Sequence, residues 1–378
     1  MSAKPIFHFI KSEAVLAASW LLAVCSMFFV PPDKGYFSYI DWRSLGILWS
    51  LMVIMNVFKQ NGIFDLTAQK ILSSVKRTWM ITGTLIFLCF FLSMAITNDV
   101  ALITFVPFAI MILNGSPLLI PTIVLQTVAA NLGSMLTPVG NPQNLYLFAL
   151  GNFTAGGFIK LIFPYWILSL VLLVFSIFLV TKRTKSLVKV PEKQISRQIP
   201  VFKTSVFAVL FIAAILTVTK IIPYPALIVS VLIFSLILQP KAFLKADYFL
   251  LLTFIGFFIF TGNMSRIPSI SGILEKLVEG RELFLGIAAS QVISNVPAAL
   301  LLSGFTHDIP SLVLGTDIGG LGTLIASMAS LISFKFYVKT PDSKAIRYIL
   351  YFTAVNLIFL MLLIAEHFAL NGILKIAS

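Results

Sequence analysis

The sequence predicts an all-α polytopic membrane protein with inverted-topology repeats, two re-entrant helical hairpins and two broken transmembrane helices. Three observations carry that fold class. The chain is 59% hydrophobic and only 11% charged, whereas soluble domains carry roughly 45–50% apolar and about 25% charged residues. Seven apolar stretches approach the ~20 residues that a bilayer-spanning helix needs. Landmarks of the first half then recur, in the same order, in the second. The composition excludes a soluble enzyme, a disordered chain and a fibrous protein, because so apolar a chain leaves too little polar surface to face water.

The expected spans are 13–30, 40–58, 160–181, 202–219, 222–239, 247–263 and 345–368. Lys4 and Lys11 precede the first of them, as in a signal peptide, but no small-residue cleavage site follows, so a retained first helix is expected. Two further apolar regions, 78–150 and 282–337, are interrupted by Gly, Pro and Asn. Cys25 and Cys89 both sit in apolar runs and read as small buried hydrophobes rather than a disulfide or metal motif.

The net charge of +13 suggests a polyanionic partner only until each basic residue is placed. With the Lys/Arg-rich loop after 160–181 set in the cytoplasm, and with 78–113 and 282–305 not crossing fully, 19 of the 27 basic residues fall inside and 8 outside. That is a positive-inside pattern. It puts the N-terminus in the cytoplasm and the C-terminus outside, in the cell membrane, and makes the lipid bilayer, not nucleic acid, the partner of the charge.

The repeat is read from paired segments. Asp41-Trp42 opens a span as Asp247-Tyr248 does, and Asn61-Gly62-Ile63 is echoed by Ser271-Gly272-Ile273. FLSMAITNDVALITFVPFAI (91–110) is echoed by AASQVISNVPAALLLSGFT (288–306), and NLGSMLTPVGN (131–141) aligns without a gap on DIGGLGTLIAS (317–327). Four crossings separate the span at 40–58 from its partner, so the partners run in opposite directions through the bilayer. Residues 1–181 then form the first repeat with a leading helix, 182–201 a basic cytoplasmic linker, and 202–378 the second, inverted repeat.

Irregular backbone survives in a membrane only where protein or a water-filled cavity satisfies its N–H and C=O groups. Four breaks are expected. Thr97-Asn98-Asp99 and Ser294-Asn295 read as hairpin tips, and 133–144 and 319–327 as unwound stretches within crossing helices. Gly133, Gly140, Gly319, Gly320 and Gly322 would let the backbone open, while Pro138 and Pro142 stop a helix. Half-helix N-termini suit an anion, and freed carbonyls with Thr, Ser and Asn oxygens suit Na⁺. The expected substrate contacts are Thr97, Asn98, Thr137, Pro138, Asn141, Ser294, Asn295 and Thr323. The expected cation or coupling residues are Thr97, Asn98, Asp99, Gly133, Gly140, Ser294, Asn295, Asp317 and Gly322, with Asp99 the first choice. Capping and interhelical bonding are the alternative for each Asn, back-bonding for Thr137 and Thr323, and an N-cap role for Asp99. Asp317 is expected nearer the outer surface, because Asp308 and Pro310 closely precede it. No transition-metal site, catalytic triad or cofactor is expected beyond Na⁺ or H⁺ as coupling ion.

LSMAITNDVALITFVPFAI, NLGSMLTPVGNPQN and SQVISNVPAALLLSGF together resemble the ion transporter superfamily over roughly residues 40–370. That group includes divalent anion/sodium symporters, citrate-transporter-like permeases, arsenite-efflux permeases and certain sodium/proton antiporters. Gly140-Asn141-Pro142-Gln143-Asn144 is similar to the Gly-Thr-Pro-Pro-Asn run of the anion symporters. The resemblance implies a scaffold domain, a transport domain that moves as an elevator, a homodimer, and Na⁺ sites at the tips and unwound segments. The chain departs at the third tip position, where Asp99 and Val296 replace the threonine of the carboxylate symporters; Asn98-Asp99 is closer to the arsenite permeases. The expected activity is secondary transport of a small anion coupled to Na⁺ or H⁺. A Na⁺/H⁺ antiporter and an arsenite-type efflux permease are the alternatives.

Overall fold

A computed structural model describes residues 13–75, 77–182 and 199–377, with side chains described as far as Gly372. Lys4, Lys11 and residues 183–198, most of the expected basic linker, lie outside the described residues. The chain begins with α1 (Ala14–Met27), the short α2 (Tyr36–Tyr39) and α3 (Trp42–Gln60). Asp41 caps α3 by accepting the Ser44 N–H at 3.0 Å. Asp247 caps its counterpart α13 (Tyr248–Ser265) by accepting the Leu250 N–H at 3.0 Å. The two caps share one backbone shape, with φ and ψ of −77° and 82° at Asp41 and −78° and 82° at Asp247. At the next landmark the halves differ. Gly62, at φ +74°, turns α4 (Ile63–Ser73) by 54° from α3, whereas Gly272 lies inside α14 (Pro268–Val278), which starts at a proline.

The first half continues with α5 (Thr78–Ile96), α6 (Asn98–Leu113), α7 (Leu119–Ser134), α8 (Pro142–Leu150) and α9 (Ala155–Thr181). The second half opens with α10 (Val201–Val218), α11 (Tyr224–Leu238) and α12 (Pro240–Phe243) before α13 and α14. It ends with α15 (Glu282–Ile293), α16 (Asn295–Leu302), α17 (Ile309–Ile318), α18 (Met328–Val338) and α19 (Ala345–Ala377). Five of these helices are long and apolar enough to cross a bilayer: α5, α9, α10, α13 and α19. The bent pair α3–α4 makes a sixth. Two expected spans come out short: α1 has 14 residues and α11 has 15, against the ~20 of a straight crossing. α9 starts five residues earlier than expected, because the Thr154 hydroxyl caps it at the Gly157 N–H, 3.1 Å away.

Two packing groups result. In one, α3 lies against α10 and α11, and α1 lies along α13. In the other, α5 packs on α7 and α15 on α17, joined by α6, α8, α16 and α18, with α9 and α19 against α7. Small residues allow the close approaches. A Cβ on Gly133 would run into the Phe90 carbonyl of α5, and one on Gly286 would sit 3.0 Å from the Gly315 carbonyl carbon of α17. The polarity is inside-out. Phe175, Phe178 and Met361 are exposed, while Gln126, Asn131, Asn144 and Asp317 are buried. Such a molecule suits hydrocarbon around it and polar chemistry within.

At one rim, Arg266 Nη1 bonds Asp33 Oδ2 at 2.8 Å and the Tyr39 hydroxyl at 3.0 Å, tying the α1–α2 loop to the end of α13. The guanidinium holds the Asp33 carboxyl below its ordinary range. A lowered folded-state value means the pair stabilises the fold above the unfolded carboxylate range and is lost as pH falls through the folded one. Asp33→Asn should therefore lower the melting temperature slightly at neutral pH. That difference should vanish in acid, where the wild type has lost the pair too; thermal unfolding across pH reads it.

Candidate functional site

Helix α5 gives way to α6 at a single residue, Thr97, at φ 73° and ψ 153°. Helix α15 gives way to α16 at Ser294, at φ 75° and ψ 154°. This backbone region is essentially reserved for glycine, and holding another residue there costs on the order of 1–3 kcal/mol. Both tips carry the same strain, and both are tied in the same way. The Asn98 N–H donates to the Gly140 carbonyl at 3.1 Å, and the Asn295 N–H to the Ala326 carbonyl at 3.0 Å. Residues 140 and 326 are matched positions in the aligned segments. The side chains of Asn98 and Asn295 turn back alike, Oδ1 accepting the next N–H at 2.9 and 3.0 Å.

The N-cap of α6 is Thr97, whose hydroxyl accepts the Val100 N–H, so Asp99 sits in the first turn and does not cap it. One Asp99 oxygen, Oδ1, is buried with no hydrogen-bond partner in the described structure.

Both broken segments end on a matched cap. Asn141 accepts the Asn144 N–H at 2.9 Å to open α8, and Ser327 accepts the Ser330 N–H at 3.1 Å to open α18. The helix before the first break runs on to Ser134, so Gly133 is helical and does not open the backbone. Its role is close packing on α5. Gly322, at φ +110°, does break the chain. Gly140 packs against the Ser134 carbonyl, with no room for a Cβ. The hydroxyls of Thr137 and Thr323 donate to the carbonyls of Met94 and Gln291, each three residues before its tip. They clasp the breaks to α5 and α15, rather than making the back-bonds raised as their alternative, and Thr323 is exposed. Pro138 is half-buried in the turn between α7 and α8.

The two halves meet through an exchange of side chains. Asn131 Nδ2, from α7, donates to Ser327 Oγ at 3.0 Å and to the Gly320 carbonyl at 3.3 Å. Asp317, the residue matched to Asn131, accepts from Asn141 at 3.2 Å, the residue matched to Ser327. Asp317 also accepts from Gln143 Nε2 at 3.4 Å and Asn144 Nδ2 at 3.0 Å. Asn98 Nδ2 adds a bond to Asn131 Oδ1 at 3.2 Å. One connected cluster thus joins the first tip, both breaks and both halves. Helices α6, α8, α16 and α18 all begin at it.

Asp317 is 3% exposed, buried within the protein. All its partners are neutral amides. The side-chain carbonyl oxygens of Gln143 and Asn144 are buried beside it without partners. Gln143, Asn144, Asn131 and Ser327 were missing from the expected site, although the first two stand in the GNPQN run and the last two at the aligned repeat positions. Gln291 was missed as well. Its amide fills the second break, donating to the Gly319 and Leu321 carbonyls at 3.0 and 2.9 Å and accepting the Thr323 N–H at 2.9 Å. The only signal was a polar residue in an apolar run, three positions before the tip.

A helical bundle with an apolar exterior and a buried polar junction of broken helices is the build of a multi-pass membrane transporter. Residues 6–310 match the family model for citrate transporters, and the chain belongs to that family. It is 33% identical to an uncharacterized transporter of Methanocaldococcus jannaschii over 79% of this chain and 82% of that one. It is 27% identical to the inner membrane protein YbiR of Escherichia coli over 88% and 90%. It is 28% identical to the Dictyostelium discoideum protein named "Putative transporter arsB" over 34% of this chain and 23% of that one.

Proposed function

We propose that this chain is a secondary active transporter of a small anion, an organic carboxylate or inorganic oxyanion, coupled to Na⁺ or H⁺. The observation that carries the reading is the convergence of four helix N-termini on one buried cluster whose carboxylate, Asp317, is held by neutral amides alone. Each N-terminus carries a partial positive charge, which favours an anion without any Lys or Arg. The carboxylate supplies the coupling. Desolvating it costs several kcal/mol, and three charge-assisted hydrogen bonds return roughly 1.5–3 kcal/mol each. The two effects nearly offset one another, so a proton or Na⁺ arriving at Asp317 changes the balance. The unpartnered oxygens of Gln143 and Asn144 then become ligands once the amides turn.

The matched caps, strained tips and exchanged bonds support the inverted-repeat reading, with the two hairpins re-entrant from opposite sides. On that reading the group α5–α8 with α15–α18 moves as an elevator against the group containing α1–α3 and α10–α14, in a homodimer in the cell membrane. The N-terminus is inside and the C-terminus outside. A Na⁺/H⁺ antiporter is the second reading, favoured by the unpartnered Asp99 oxygen, which gives a second carboxylate without an anion.

Proteoliposome flux separates these readings. Uptake of labelled citrate, succinate, phosphate or arsenite that rises with an inward Na⁺ or H⁺ gradient supports anion symport. Proton movement driven by Na⁺ alone, with none of the four anions taken up, replaces it with antiport.

A further inference from the structure

A cavity of about 410 Å³ with a mixed lining lies between the α6–α7 loop and the α18–α19 corner, its polar side formed by Asn114, Ser116, Thr340, Lys344, Arg347 and Tyr351. A second, open and largely apolar hollow of about 860 Å³ continues from Lys344, Arg347 and Tyr351 along Ile346 and Leu350. Ile346 and Leu350 are 76% and 67% exposed on α19. The two basic residues therefore stand at the seam between this recess and an apolar surface. Asp342 also lines the recess, so its charged side chains sum to one positive charge. The first N–H groups of the 33-residue α19, which begins at Ala345, add a partial positive end at the same place.

We propose that this corner is a binding site for an anionic phospholipid. The phosphate sits at the seam against Lys344, Arg347 and the α19 N-terminus. The headgroup enters the recess, where the Asn114 amide and Ser116 hydroxyl meet its oxygens. One acyl chain lies along Ile346 and Leu350. Charge at the seam, polar groups in the recess and an almost wholly apolar hollow beside it are what an amphiphile needs; a free phosphate would leave the apolar hollow empty. Basic pockets between membrane helices recognise anionic headgroups on this physical basis. The site is remote from Asp317 and stands or falls independently of the transport reading.

The test is native mass spectrometry of the purified full chain titrated with phosphatidylglycerol, phosphatidylcholine or inorganic phosphate. Phosphatidylglycerol should be retained in preference to phosphatidylcholine, and inorganic phosphate should not displace it. Each basic residue near an anionic headgroup is worth about fivefold in affinity, so Lys344→Gln with Arg347→Gln should weaken retention on the order of 25-fold. Lys344→Arg with Arg347→Lys should preserve it, which separates charge from folding. Undiminished retention by the double Gln variant, loss in the charge-preserving variant, or equal retention of phosphatidylcholine overturns the proposal. So does displacement by phosphate, which would make this an inorganic anion site.

Discussion

Asp317→Asn is expected to remove the dependence of transport on its driving gradient while leaving the protein folded. The change keeps the shape of the side chain and puts Asn where the matched position 131 already has it. Asn141 and Gln143 would still find the Oδ1 acceptor, and the Asn144 amide would turn so that its unpartnered oxygen accepts from the new Nδ2, but no charge would remain to attract a cation or release a proton. A coupling free energy of about 1–3 kcal/mol corresponds to roughly 5–150-fold. Gradient-driven accumulation should fall within that range, while counterflow exchange between loaded liposomes, which needs no gradient, stays near wild type. Asp317 takes the place that sequence reasoning had given first to Asp99. If Asp99→Asn has the larger effect on gradient dependence, the assignment reverts.

Gly133→Ala is expected to have the largest effect on stability. The new Cβ would collide with the backbone carbonyl of Phe90 and stand 2.7 Å from Ser93 Oγ. Neither can step aside cheaply, because one is backbone and the other is buried and bonded to the Phe90 carbonyl at 3.0 Å. Overpacking of this kind costs about 1–3 kcal/mol. Gly272→Ala is the control of opposite sign. Nothing lies within 4 Å of its added Cβ, and it sits inside α14, where alanine is favoured by roughly 0.5–1 kcal/mol. Melting temperatures in detergent should move down for the first and up for the second. A fall of equal size for both would refute the close-approach reading of Gly133.

Much of this was legible from the chain itself. Asp41 and Asp247 announced two helix starts because a capping carboxylate before an apolar run is a local signal. The helix breaks at Thr97 and Ser294 were legible because a polar pair between two apolar runs is a local signal. The burial of Asp317 was not. It follows Asp308 closely in sequence, yet α17 starts at Ile309 and rises about 1.5 Å per residue, which carries Asp317 about 12 Å from the start of the helix. Gln291 was hidden because its partners are backbone groups that exist only once the second break has formed. The bonds of the threonines were hidden for a related reason: Thr137 and Thr323 donate to carbonyls on helices distant in sequence. Position 133 shows the limit of reading glycine as a hinge, since a glycine that admits a neighbouring helix looks the same in sequence.

The central claim is that the cluster at the first tip and both breaks, with the second tip tied to it through Ala326, is the transport site. Proteoliposome uptake by Asn98→Ala and Asn295→Ala, with melting temperatures taken alongside, tests it most directly. Both variants should fold, and both should lose most of their substrate uptake. Normal uptake by the two variants would contradict the account.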